Sequence, residues 1–221
     1  MSQDGRAQTK AVAPPPTAER PKPLGRRERN KQEKRSRIVE AARRLFEEKG
    51  FAQTTTLEIA EAADIGTGTL FLYARSKEDL LVLVFKDEML ETAMAAFARL
   101  RAEDPLLDQL VQVFDAMASH HERDRDLAKI LLREIMFPAN DDRLTDIGEL
   151  MDAIFAGLAA LLSTAQAAGI LRAEFDPRLV AENLFSNYFM DMLEWLRGLW
   201  TKEAFRDRLR QHLAITIDGL R

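Results

Sequence analysis

A chain of 221 residues that is 46% hydrophobic and 31% charged can bury a sizeable core in one large or two small domains, and is neither wholly disordered nor collagen-like. With no Cys, disulfides, thiolate metal sites and Cys nucleophiles are excluded, which suits a reducing cytoplasm. The net charge of −4 hides an asymmetry: residues 1–77 hold 16 Lys+Arg against 10 Asp+Glu, and the remainder holds 16 against 26. A basic end on an acidic body points to a polyanionic partner, or to a basic tail with none.

Residues 1–30 have no apolar periodicity and carry Pro14, Pro15, Pro16, Pro21 and Pro23. They are expected to form a disordered arm. Its basic end, Arg26, Arg27, Arg29 and Lys31, suits either DNA phosphates or plain solvation. The arm has no apolar stretch of the kind found in secretory signals. From residue 31 the pattern is helical. Ile38, Ala41, Ala42, Leu45 and Phe46 form one stripe at i, i+3, i+4, i+7 and i+8, and Gly50 suits a left-handed C-cap. Thr55-Thr56-Leu57-Glu58 is a capping-box pattern starting a short second helix through about Ala63. After a break at Asp64–Gly66, a third short helix is predicted over Thr67–Tyr73.

Ser76-Lys77-Glu78-Asp79 marks the start of a fourth helix, running to about Arg101. Asp104-Pro105 and Asp176-Pro177 each place an Asp N-cap before a Pro at the first helical position. Between them helices are predicted over 105–121, 124–137 and 143–168, and after them over 177–198 and 202–219. No stretch reads as a strand, so the fold class is all-α with about nine helices. The longest apolar runs, Leu80–Phe85 and Ile154–Leu162, fall far short of the ~18 residues of a membrane span. No membrane association is expected.

Residues 51–77 carry the chemistry. Two short helices flank a tight turn, and the second begins with the small residues Gly66, Thr67, Gly68 and Thr69. This is the helix-turn-helix plan, in which one helix braces and the N-terminal end of the next enters the major groove. A helical hairpin of any α-protein would look alike.

Residues 35–85 as a whole resemble the DNA-binding domain of TetR-family transcriptional regulators. The resemblance rests on Ile38, Ala41, Ala42, Leu45, Phe46, Gly50-Phe51, Thr54-Thr55, Ile59-Ala60, Ala63, Ile65, Gly68-Thr69-Leu70, Tyr73, Ser76-Lys77-Glu78 and Leu80-Leu81. It implies a helix-turn-helix domain over 31–80 and an effector-binding, dimerising helical body over 81–221. The function it implies is that of a cytoplasmic repressor, not an enzyme, released from a pseudo-palindromic DNA operator by a small, largely apolar effector. The sequence departs from the family pattern at Asp64 for a turn Gly and at Gly66 for a Ser, so the N-cap role is expected to pass to Thr67. It departs again at Phe71 for a phosphate-touching Tyr, and at Ala74-Arg75 for Phe-Pro.

By the same resemblance, Thr54, Thr55 and Lys77 would meet phosphates. Thr67, Gly68 and Thr69 would face base edges, with Phe71, Leu72 and Tyr73 near the DNA backbone. Core packing is the alternative for Tyr73, and simple solvation for Lys77. An effector pocket is expected among Phe97, Phe114, Met117, His121, Phe137, Phe155 and Phe189, although core packing competes for each. A homodimer interface is expected on the last two helices at Leu184, Tyr188, Met192, Trp195, Leu209 and Leu213. Adjacent His120 and His121 point about 100° apart on a helix and make a poor chelating pair. No metal or cofactor is expected. An all-α enzyme lacks support, because no hydrolase, zincin, P-loop or dinucleotide motif occurs.

Overall fold

A computed structural model describes residues 25–221, so residues 1–24 of the expected arm lie outside the described part. Among the described residues the chain is all-α. The helices are α1 (Arg26–Lys49), α2 (Thr56–Ala62), α3 (Thr67–Leu70), α4 (Lys77–Ala98), α5 (Leu106–Glu122), α6 (Arg125–Met136), α7 (Asp141–Ala167), α8 (Pro177–Leu196) and α9 (Lys202–Asp218).

The local signals explain most of the boundaries. Thr55 accepts the Glu58 N–H while Glu58 accepts the Thr55 N–H, so the capping box closes in both directions. Ser76, Asp124, Asn140, Asp176 and Thr201 cap α4, α6, α7, α8 and α9 with their side chains. Asp64 takes φ 54° in the turn between α2 and α3, a left-handed conformation that Asp tolerates better than most residues.

Some starts differ from expectation. Residues 26–30, expected in the arm, form the first turn of α1. Beyond Pro23 no proline interrupts a run rich in Arg, Lys, Glu and Gln, all good helix formers. Gly66 keeps the N-cap position of α3 without a side-chain bond, and Thr67 is the first helical residue. Pro105 itself occupies the N-cap of α5.

Helix α4 is the spine. It packs against α1 on the N-terminal side and against α5, α6 and α7 in the body. Helix α8 lies between α7 and α9, and α9 returns onto α5. Helix α7 is long and apolar enough, by length and composition, to cross a membrane. Here its stripe Leu150, Ile154, Leu158 and Leu162 is buried, while Asp141, Asp142, Glu149 and Asp152 face outward. That is the pattern of an amphipathic core helix.

Candidate nucleic-acid interface and effector cavity

The turn from α2 to α3 presents a small, largely uncharged surface. Gly68 is exposed, Thr67 and Thr69 are half-buried, and Leu70 beneath them is fully buried in the core. Phe71 and Leu72 are 46% and 83% exposed, an unusual position for large apolar side chains. Tyr73 packs partly against the core. From Ile65 to Tyr73 no side chain can make the paired hydrogen bonds by which Arg, Asn or Gln read a base. The first three turns of α1 add exposed Arg26, Arg27, Arg29, Lys31 and Lys34.

Two expected phosphate contacts take a different role. Thr54 is buried, and its hydroxyl lies 3.0 Å from the Leu45 carbonyl and 2.9 Å from that of Gly50. It is turned back onto the C-terminal end of α1, so it is not available to DNA. Lys77 donates from Nζ to the carbonyls of Phe51 at 2.7 Å and Ala52 at 3.2 Å, and lies 4.5 Å from the centre of the Phe51 ring. It ties the start of α4 to the turn before α2, with one N–H direction left over. Thr55 stays exposed, but its hydroxyl serves the cap and lies 2.9 Å from Glu58 Oε2. The Glu58 carboxyl is held at about 2, first by the Lys49 hydrogen bond and then by Thr55.

In the body, an apolar cavity of about 470 Å³ opens between α4, α5, α6, α7 and α8. Of the residues expected at a pocket, Met117, His121 and Phe189 line this cavity. Four other candidates do not. Phe114 is fully buried and stacks on Tyr188 at 4.8 Å. Phe97 packs against α7, so close that a Cβ on Gly157 would stand 2.5 Å from its ring. Phe155 packs edge-on to Phe185 beneath the Arg178 guanidinium. Phe137 ends α6 and is 73% exposed. The walls that sequence reasoning missed include Phe85, Met89, Met151, Ile154 and Phe185. Their only sequence signal was apolar character, which they share with the core.

The expected dimer residues are not on the surface. Leu184, Tyr188, Met192, Trp195, Leu209 and Leu213 are each at most 2% exposed within the single chain. They form the seam of α8 against its own neighbours: Tyr188 meets Phe114, and Trp195 stacks on Phe205 at 5.3 Å. The large apolar residues that these two helices turn outward are Leu179, Met190 and Ile215, which are 55–72% exposed.

His120 and His121 are inward-facing and lie near Phe85, with ring centroids 5.6 and 5.4 Å from it. Burial, helped by Arg123, lowers His120 to about 4. Burial, helped by His120, lowers His121 to about 3. Both are therefore neutral at pH 7. A histidine that resists protonation when folded takes up its proton more readily when unfolded, so acid favours unfolding. Stability is expected to fall as pH drops from about 6.5 to 4. Urea denaturation across that range checks this, and His121→Phe should flatten the dependence.

Comparisons with known proteins agree with this geometry. Residues 38–84 match the model of the bacterial regulatory proteins of the tetR family. Residues 87–219 match the C-terminal domain of TetR/AcrR family transcriptional repressors. The chain is 24% identical to the fatty acid metabolism regulator protein of Bacillus subtilis over 76% of its own length and 86% of the relative's. It is 28% identical to the HTH-type transcriptional regulator TtgR of Pseudomonas putida, over 75% and 81%. Among solved structures, FadR of Thermus thermophilus, a TetR-family repressor in complex with lauroyl-CoA, aligns with TM-score 0.67 and 26% identity over 84% of this chain and 94% of that one. The basic helix-turn-helix head, the helical body and these matches together lead to one identification: the chain belongs to the TetR/AcrR family and is a DNA-binding transcriptional repressor.

Proposed function

We propose that this repressor is released from its operator by a fatty-acyl thioester, whose chain fills the apolar cavity between α4 and α8. The cavity carries the reading. It has the size of a small-molecule site, and Phe, Met, Leu and Ile side chains dominate its walls. The relatives named for fatty acid metabolism and for a lauroyl-CoA complex support the same ligand class. Occupancy of the cavity touches Phe85 and Met89 of α4, the helix that carries the DNA-binding head. The ligand must favour the released state by a few kcal/mol to shift the population. A gel shift on an operator selected from random DNA tests the reading. Micromolar dodecanoyl-CoA should lower apparent DNA affinity at least tenfold, and an unchanged complex would exclude this effector class.

The working form is a cytoplasmic homodimer whose two heads read a pseudo-palindrome in successive major grooves. Leu179, Met190 and Ile215 supply the apolar part of the pairing face. Thr67, Gly68, Thr69, Phe71 and Leu72 approach the bases, with Thr55 and Tyr73 at the DNA backbone. With no paired hydrogen-bonding side chain in that turn, sequence is read through thymine methyls and groove shape. Replacing contacted thymines by deoxyuridine in the selected operator should weaken binding about fourfold per methyl, given ~0.8 kcal/mol per buried carbon. A binding curve indifferent to the methyls would refute this mode of reading.

A further inference from the structure

Among the residues that line the apolar cavity, Met136, Ser186 and Met190 are exposed, and the others are buried or half-buried. The mouth therefore lies at these three, where the end of α6 comes up to α8. Two of them also belong to a single stripe. Within α8 the exposed residues are Leu179, Asn183, Ser186 and Met190. Their spacing of i, i+4, i+7 and i+11 puts them on one face of the helix. The other faces of α8 are occupied by its own chain: Phe185 meets Phe155 of α7, and Trp195 stacks on Phe205 of α9. Asn183 reaches towards α9, where its Oδ1 accepts from the Thr216 hydroxyl at 3.4 Å. The exposed Ile215, adjacent to Thr216 in the chain, extends the stripe onto α9.

None of these five exposed residues is charged, in a chain that is 31% charged. Depletion of charge sets the centre of a subunit interface apart from ordinary protein surface. A second copy related by a two-fold axis lays the same stripe over this one. Ser186 and Met190 then hold two positions at once, on the seam between subunits and on the lip of the cavity.

We infer that the effector site is completed by the second copy of the chain. The acyl chain lies in the cavity of one protomer, and its polar part leaves through the mouth into the seam, against the face formed by α8 and α9 of the partner. This inference rests on the acyl reading and the pairing face proposed above, and adds the partner as a wall of the site. Without that wall, the carbons nearest the mouth stay in water and their burial is lost. With it, occupancy bears directly on the joint that sets how the two DNA-binding heads stand.

Titration with dodecanoyl-CoA in two states of assembly tests the shared site. Ile215→Glu disrupts pairing without touching the cavity, which Ile215 does not line. As a monomer with the helix content of the wild type by circular dichroism, it should bind dodecanoyl-CoA at least tenfold more weakly than the wild-type dimer. The wild-type chain supplies a second measurement, by fluorescence-detected sedimentation from nanomolar to micromolar protein. Saturating dodecanoyl-CoA should tighten dimerisation about a hundredfold, tenfold for each of two sites, because binding and assembly are linked reciprocally. A monomeric Ile215→Glu chain that binds like the wild type, or a dimerisation constant unmoved by the ligand, overturns the shared site and leaves the acyl reading standing. An Ile215→Glu chain that still sediments as a dimer places the pairing face elsewhere and overturns it as well. If the wild type does not bind dodecanoyl-CoA, the acyl reading falls and takes the shared site with it.

Discussion

Arg143→Met is expected to lower unfolding free energy by about 3–5 kcal/mol, the cost typical of leaving buried charges without their partner. Arg143 sits in the first turn of α7 with its side chain only 3% exposed. Its guanidinium bonds Asp79 at the start of α4, through Nε at 2.9 Å, and Glu134 of α6. Asp79 also accepts from Asn140 at 3.2 Å and from the Arg75 N–H at 2.9 Å. Burial works against the Asp79 charge, but the Arg143 hydrogen bond together with those from Arg75 and Asn140 outweighs it and holds the carboxyl below its ordinary range. A depressed carboxylate stabilises the fold above its unfolded pKa, and that contribution disappears as pH falls through the folded one. The gap between variant and wild type should therefore narrow below about pH 4. Urea denaturation measures both effects. Adding Asp79→Asn and Glu134→Gln to the variant should restore most of the loss, because no uncompensated charge then remains. A single variant within 1 kcal/mol of wild type would show that these groups are solvated rather than locked together.

Trp195→Ala should cost a similar amount, about 3–5 kcal/mol, and the same amount at every protein concentration. The indole is fully enclosed, stacked on Phe205, with the Arg125 guanidinium 5.1 Å above it and Arg125 donating to the Trp195 carbonyl. A residue at a subunit boundary behaves differently, because its loss is felt through mass action. Ile215→Glu is the contrasting variant. It changes an exposed position and should leave the core intact, yet shift sedimentation towards monomer and weaken operator binding. If Trp195→Ala instead dissociated an otherwise stable fold, the burial of α8 against α9 would be misassigned.

Much of the architecture was legible because helix ends are written locally. Thr55 with Glu58, Ser76, and Asp176 before Pro177 each act within four residues, and the structure uses all of them. The helix-turn-helix was legible for the same reason. The side to which a residue turns was not. Helix α8 is apolar nearly all round, so its sequence could not distinguish the face packed on α9 from the face left to solvent, and Leu184 was exchanged with positions such as Met190. Thr54 and Thr55 are neighbours of the same type, but only the three-dimensional end of α1 decides that the first turns inward. The cavity failed on similar grounds. Its Met and Phe walls are chemically identical to the packing around them, and only the arrangement of five helices leaves space at some and none at others.

The bond from Lys77 to the carbonyls of Phe51 and Ala52 has a mechanical consequence. It welds the root of α4 to the joint between α1 and α2, so a tilt of α4 cannot be absorbed there. On the release mechanism proposed above, a tilt of α4 would therefore travel outward as a swing of the head as one unit. Loss of grip on DNA would then be a matter of where the paired heads stand relative to each other, with neither of them melting.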